Sequence, residues 1–325
     1  MVFTAAAPLW NVCVLLLMTS CPTTIAFSAP RKKIALITGG NKGIGREIAR
    51  RIGKEPDFTA IIACRNVELG KAAAEDLTSK NNGNENENNN DAACDVLACP
   101  VPLDLTDPNS IQNVANWVTN EYDGTLDVLI NNAAICFNDP TLYGKVEYTP
   151  FEDQADITIR TNYFGTLNVT RSFLPLLEKS SDPRIINVAS YAGRLTILRS
   201  QDLVDAFTSP TLTIPELSQW MDRFTRDVEA KTHSQNGWPN TCYGVSKLGI
   251  IALTRVLARD FPEMMINSVD PGYCRTDQND NGGIVDPWDG AYTPYLLALM
   301  EVEGEEEGRS GLHFYEMNEI PWTYS

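Results

Sequence analysis

Three short stretches of this chain carry residues whose types and spacing could do chemistry. In Thr38-Gly39-Gly40-Asn41-Lys42-Gly43-Ile44-Gly45 the glycines let the backbone turn tightly and approach an anion with no Cβ in the way. A helix starting behind that turn would aim its N–H groups at a phosphate. In Ala63-Cys64-Arg65-Asn66 the charged residue is a cation. A carboxylate there would accept hydrogen bonds from a ribose 2′-hydroxyl, whereas the Arg65 guanidinium can pair bidentately with a 2′-phosphate. Lys42 adds a second positive charge. In Tyr243-Gly244-Val245-Ser246-Lys247 a phenol and an ammonium stand four residues apart. On a helix that is ~6 Å of rise and just past one turn, so both can face one cleft.

Such groups need elements to hold them. Lys33–Ile37 is a short apolar run directly before the glycine-rich turn, and Gly45–Ile52 carries apolar residues at helical spacing. Phe58–Ala63 reads as a second strand and Val67–Leu77 as a second helix. Further strand-like runs lie at Leu97–Leu103, Leu126–Ile130, Arg184–Val188, Met265–Val269 and near Leu312–Tyr315. Pro100 and Pro102 cannot donate ladder hydrogen bonds, so the Leu97–Leu103 strand belongs at a sheet edge. Strand alternating with helix predicts an α/β fold: a Rossmann-type, doubly wound parallel sheet of about seven strands with helices on both faces. Ligands of such sheets gather at the C-terminal ends of the strands. Ser190 ends one strand there, Asn131-Asn132-Ala133-Ala134 closes the strand before it, and Pro271-Gly272-Tyr273-Cys274-Arg275-Thr276 closes the strand after Tyr243. The glycine turn placed between strand and helix predicts a dinucleotide site. Two cations and no carboxylate at the discriminating place favour NADP(H) over NAD(H).

Taken together, TGGNKGIG, NNAA, TNYFGT, INVAS, YGVSK and DPGYCRT resemble the short-chain dehydrogenases/reductases from about Lys33 to the C-terminus. The resemblance implies a role for each matched residue. Tyr243 would be the general acid that protonates a carbonyl oxygen, and Ser190 would hold that oxygen. Lys247 would lower the Tyr243 pKa and grip the nicotinamide ribose, while Asn162 would support a water relay to Lys247. Gly39, Asn41, Lys42, Gly43, Ile44 and Gly45 would form the phosphate turn, with Arg65 as the 2′-phosphate partner. Asp104 and Leu105 match adenine-side contacts, Asn131 and Ala133 the ribose-side loop, and Pro271, Gly272, Cys274 and Thr276 the nicotinamide loop. Ala134 stands where the family usually carries glycine. Bringing a phenol from ~10 to ~7 takes about 4 kcal/mol. One cation at ~4 Å supplies about that much at an effective dielectric of ~20, so Lys247 alone is barely sufficient.

The stretch between Ser190 and Tyr243 is far longer than in most relatives and resembles the monomeric carbonyl reductases, a group that includes reductases of plant terpenes and alkaloids. Within this insertion, 194–240, Thr213-Ile214-Pro215-Glu216 reads as a capped helix start, with Leu217, Trp220, Met221, Phe224 and Val228 on one face. In that group the insert covers the surface through which other members oligomerise, which implies a monomer. Trp288 and Tyr292 are expected to wall the substrate cleft. The implied activity is NADPH-dependent reduction of an aldehyde or ketone, the substrate apolar or aromatic because no second cationic cluster awaits an anionic one. NADP-dependent oxidation of a secondary alcohol, or a non-catalytic NADP(H)-binding sensor, are the rival readings.

Composition bounds the rest. The 325 residues are 43% hydrophobic and 21% charged, ordinary for a globular chain, and the −16 net charge disfavours nucleic acid and anionic membrane surfaces as partners. Two histidines argue against a His-rich metal site, and no apolar run reaches the ~20 residues of a membrane span. Six cysteines beyond Cys13 and Cys21 have no regular spacing and read as thiols of the interior. Residues 1–30 carry no charge; Val12–Met18 is a short apolar run, and Thr24-Ile25-Ala26 offers a small-residue cleavage site. A cleaved presequence, 1–26, is expected to take the chain into the secretory pathway. Ala26-Phe27-Ser28-Ala29-Pro30 resembles plastid-directed presequences of algae with secondary plastids; without a working presequence the protein would be cytoplasmic. Residues 32–325 are read as one reductase domain with a disordered Asn-rich loop at 81–91 and a solvated acidic turn at Glu301–Gly308.

Overall fold

The computed structural model describes residues 31–79, 94–137, 148–300 and 309–323. The presequence, the Asn-rich loop and the acidic turn fall outside the described residues. The chain opens with β1 (Lys33–Thr38), α1 (Gly43–Gly53), β2 (Phe58–Ala63), α2 (Val67–Ser79), β3 (Val96–Ala98), α3 (Pro108–Glu121) and β4 (Val128–Asn131). It continues through α4 (Phe151–Ile159), a π-helical turn (Arg160–Gly165), α5 (Thr166–Leu177), β5 (Arg184–Val188), α6 (Gln201–Thr208), α7 (Ile214–Glu229), α8 (Cys242–Asp260) and β6 (Met265–Val269). α9 (Pro287–Gly290), α10 (Tyr292–Leu299), β7 (His313–Tyr315) and β8 (Asn318–Glu319) complete it.

The strands form one sheet in the order β3-β2-β1-β4-β5-β6-β7-β8. β1 to β7 pair in parallel, the seven expected, and β8 adds a two-residue antiparallel edge. Strands β2, β4 and β5 are buried along their whole length, because helices cover both faces. One core lies under α3, α5, α7 and α8 and includes Leu36, Phe173, Phe224 and Leu253; the other lies under α1, α2 and α10 and includes Ile37, Ile48, Ala74 and Leu297. β3 is the edge strand and stops at Ala98, ahead of Pro100. The order turns back between β1 and β4, the place where open sheets of this kind part to admit a ligand.

The insertion is two helices anchored by one indole. Thr213 and Glu216 form a reciprocal capping box at the start of α7, the Thr213 N–H donating to Glu216 Oε2 at 2.9 Å. Leu217, Met221, Phe224 and Val228 are buried, while Trp220 is at the margin. α7 lies against α4 and α8. Trp238 is fully buried between Phe207 and Phe224, and its Nε1 donates to Asp227 at 2.9 Å. Emptying that space by Trp238→Ala should lower unfolding stability by about 3–5 kcal/mol, measured by denaturant titration. A loss under about 1 kcal/mol would mean that the insertion packs without this anchor.

Candidate functional site

A cleft of about 880 Å³ opens at the C-terminal ends of the central strands. The glycine-rich turn forms one wall. Thr38 Oγ1 accepts the N–H groups of Asn132 and Ala133, each at 3.0 Å, and Asn132 Nδ2 donates to the Thr38 carbonyl at 2.9 Å. The turn is pressed so closely onto the loop after β4 that a Cβ on Gly45 would come 2.4 Å from Asn132 Nδ2. Gly39 has φ +66°, where a side chain would be strained. Lys42 precedes α1 without capping it, and the first turn holds no acid. The positive end of α1 and its N–H groups are therefore left for an anion, and the residues fit a pyrophosphate. Lys42 reaches Asp277 at 3.2 Å; both are about two-thirds exposed, so the pair is easily exchanged for another anion.

Of the expected cofactor residues, Gly39, Asn41, Lys42, Gly43, Ile44, Ala133, Pro271, Gly272, Cys274 and Thr276 line this cleft. Ala134 lines it as well. Arg65, Asp104 and Leu105 lie beyond its lining, past the ends of β2 and β3. Arg65 is exposed, and the segment leading to Asp104 runs beside it, Leu103 N–H donating to the Cys64 carbonyl. The Asp104 carboxylate accepts from Thr106 N and Oγ1, which, with Arg65 nearby, hold it below its usual range. The Asn131 side chain is turned away from the cleft. It donates to Thr170 and Asn187 in a buried polar chain that continues to Thr254.

Ser190 follows β5 and caps a single 3₁₀ turn, Tyr191–Gly193, its Oγ accepting the Ala192 N–H at 3.2 Å. That turn sits directly on α8. A Cβ on Gly193 would come 2.5 Å from the Lys247 carbonyl carbon, and one on Gly244 would come 2.8 Å from the Ala192 carbonyl oxygen. Only two glycines allow this approach, and it brings the Ser190 hydroxyl to the Tyr243 phenol. Lys247 Nζ is buried, donates to the Val188 carbonyl at 2.7 Å, and stands 5.6 Å from the Tyr243 ring centroid. Ser190, Tyr243 and Lys247 thus share the cleft with the glycine-rich turn. Asn162, in the π-helical turn, does not line it. Its carboxamide exchanges two hydrogen bonds with the Ile135 backbone, at 2.8 and 2.9 Å, and donates to Ser246 Oγ at 3.0 Å. Through Ser246 it is tied to α8, the helix that carries Lys247.

The protonation balance differs from the sequence expectation. Burial pushes the Tyr243 phenol above its ordinary value; Cys136 and Asp270 push the same way, and contacts with Ser190 and Gln278 oppose them. Burial lowers the Lys247 ammonium to about 8, against Cys136 and Asp270. Desolvation, the largest influence on each group, runs against the lowering of the phenol expected from Lys247.

Several residues of the cleft escaped the sequence reading. Asn132 braces the glycine turn, and only its neighbour Asn131 drew attention. Cys136 lines the cleft and is half-buried, whereas the five other described cysteines are buried. Asp270 opens the DPGYCRT stretch with no role of its own assigned there, and Gln278 follows in a stretch that reads only as a loop. Trp288 and Tyr292 are not cleft walls: Trp288 stacks 3.5 Å from the Arg51 guanidinium, with Tyr292 beside it, and Tyr292 lines a separate hollow. Phe137, Tyr191 and Tyr273 supply the aromatic surface of the cleft instead.

Residues 33–200 match the family model for short chain dehydrogenase. The chain is 33% identical over 299 residues to carbonyl reductase (NADPH) 1 of Mus musculus, spanning 90% of this chain and 99% of that protein. It is 33% identical over 287 residues to carbonyl reductase (NADPH) 3 of Homo sapiens, spanning 84% and 93%. Among solved structures, salutaridine reductase from Papaver somniferum superimposes with a TM-score of 0.74 at 27% identity, covering 88% of this chain and all of that one. Menthone neomenthol reductase from Mentha piperita gives 0.71 at 27% identity, covering 88% and 99%. With the family model spanning more than half the chain and those relatives nearly all of it, this protein belongs to the short chain dehydrogenase family.

Proposed function

We propose that this protein is an NADPH-dependent carbonyl reductase acting on an apolar or aromatic aldehyde or ketone. The observation that carries the reading is the convergence of Tyr243, Ser190 and Lys247 on the cleft walled by the glycine-rich turn. The relatives whose names give NADPH as their cofactor support it, as does Arg65 beyond β2. When bound, the dinucleotide supplies the hydride that the carbonyl carbon receives. The rest is done by the chain. Ser190 donates a hydrogen bond to the carbonyl oxygen, and Tyr243 gives that oxygen its proton as negative charge develops there. A phenol raised by burial stays protonated at neutral pH, which is the form that reduction consumes. Lys247 holds the ribose and, while charged, favours the phenolate left behind. Arg65 and Lys42 hold the 2′-phosphate.

Phe137, Tyr191 and Tyr273 favour an apolar substrate face. The covering of α4 and α8 by α7 supports a monomer. We further propose that 1–26 is a targeting presequence for secretory entry; a fluorescent fusion of residues 1–35 reads this directly, distinguishes a plastid from other destinations, and is refuted by a diffuse cytoplasmic signal.

Tyr243→Phe should keep NADPH binding, read by fluorescence, and lower turnover by about 10²–10⁴-fold. Retained turnover would remove Tyr243 as the acid. Arg65→Asp should reverse the NADPH-over-NADH preference in kcat/KM, because a carboxylate repels the 2′-phosphate and accepts from a 2′-hydroxyl. An unchanged ratio would show that the selector lies elsewhere. Lys247 is protonated below about 8 and neutral above it. The pH profile of kcat/KM should therefore fall as pH rises through that value, and Lys247→Arg should move this limb upward; a flat profile to pH ~10 contradicts the assignment.

A further inference from the structure

Ser246 stands between Tyr243 and Lys247 on α8, and the chemistry above gives it no task. It is fully buried. Its hydroxyl has one hydrogen and two lone pairs. The hydrogen goes to the Tyr243 carbonyl, one turn earlier, at 2.7 Å. A serine inside a helix often makes such a bond, so by itself it says little. The second contact is the informative one. Ser246 Oγ accepts from Asn162 Nδ2 at 3.0 Å, across 84 residues of sequence.

Asn162 is 1% exposed, and both of its amide hydrogens are in use. One goes to the Ile135 carbonyl at 2.9 Å and the other to Ser246, while Oδ1 accepts the Ile135 N–H at 2.8 Å. Ile135 lines the main cleft between Ala134 and Cys136. Two side chains therefore join three elements that are far apart in sequence: the loop after β4, the π-helical turn and α8. The Ile135 backbone sets which way the amide faces, and Ser246 takes the hydrogen that this clasp leaves over. With Ser246 cut back to a methyl, that hydrogen would be buried with no acceptor, and an unmet buried donor costs more than a satisfied one contributes. The amide could regain a partner only by moving, which loosens its hold on Ile135, or by admitting water.

We propose that Ser246 is a positioning residue of the reductase site: through Asn162 it holds the cleft loop at Ile135 against the helix that carries Tyr243 and Lys247. The proposal rests on the reductase reading for its kinetic part only.

The Ile135 N–H is the natural reporter, because its bond to Asn162 shields it from exchange. In the full chain, Ser246→Ala should quicken amide hydrogen exchange in the peptide covering 132–137 by about five- to tenfold and leave β1 unchanged. Quickening confined to 242–250 would mean that Ser246 serves only its own helix. The near-isosteric Asn162→Leu removes the clasp, so adding Ser246→Ala to it should change exchange in 132–137 by less than about twofold. In Ser246→Ala, kcat counted per NADPH-binding site should fall about tenfold, with the KM for the carbonyl within about threefold. Ser246→Thr separates hydrogen bonding from packing, because it keeps the hydroxyl but adds a methyl at a fully buried position. It should recover exchange protection and most of kcat, whereas a packing role alone predicts a variant worse than alanine. Ser246→Cys, whose sulfur is a weak acceptor, should quicken exchange in 132–137 as alanine does, and it decides the matter if Ser246→Ala does not fold. Unchanged exchange in 132–137, equal effects with and without Asn162→Leu, an unchanged kcat, or threonine worse than alanine overturns the proposal. Absence of NADPH-dependent reduction in the unaltered protein would instead overturn the reductase reading, with the exchange results still judging the tie between Ser246 and the Ile135 loop.

Discussion

The site depends on one close approach: the Ser190 turn lies on the backbone of α8 with no side chain between them. At Gly193 and Gly244 an added methyl would meet backbone atoms at 2.5 and 2.8 Å. Any other residue at either place would push the serine away from the helix that carries Tyr243 and Lys247. The remaining architecture keeps these two pieces where they are. β5 delivers Ser190 from a fully buried strand, and α8 is buried along nearly its whole length, so neither can drift without opening the core.

Burial has a chemical consequence as well. The packing that fixes α8 buries the ammonium and leaves the phenol half-buried in the cleft, and desolvation disfavours the charged form of each. The phenol is held protonated, while the ammonium is held near the point of losing its proton. On the proposed reading, a site so arranged is loaded with a proton for an oxygen that is gaining charge.

Much of this was legible in the chain itself. The strand, glycine turn and helix from Lys33 to Gly53 are written in hydrophobic spacing and punctuation, and the Thr213–Glu216 box announces α7 by local chemistry alone. What stayed hidden depends on contacts distant in sequence or on unusual backbone. The π-helical turn at Arg160–Gly165 has no signature in residue types, and it turns Asn162 toward Ile135 and Ser246. β8 escaped because its hairpin turns through Glu316 and Met317 at φ 47° and 62°, where Asn-Gly would be the usual signal. Trp288 was assigned to the cleft from chain position, but stacking on Arg51 holds it elsewhere.

The account's central claim is that a proton donor and a dinucleotide cradle share one cleft for carbonyl reduction. The most direct measurement follows NADPH oxidation by the purified protein with a panel of quinones, aldehydes and α-diketones, together with the alcohol formed. The account predicts consumption of NADPH matched by alcohol product for at least one apolar carbonyl. Tight NADPH binding with no oxidation across the panel would contradict it and leave a dinucleotide-binding protein without this chemistry.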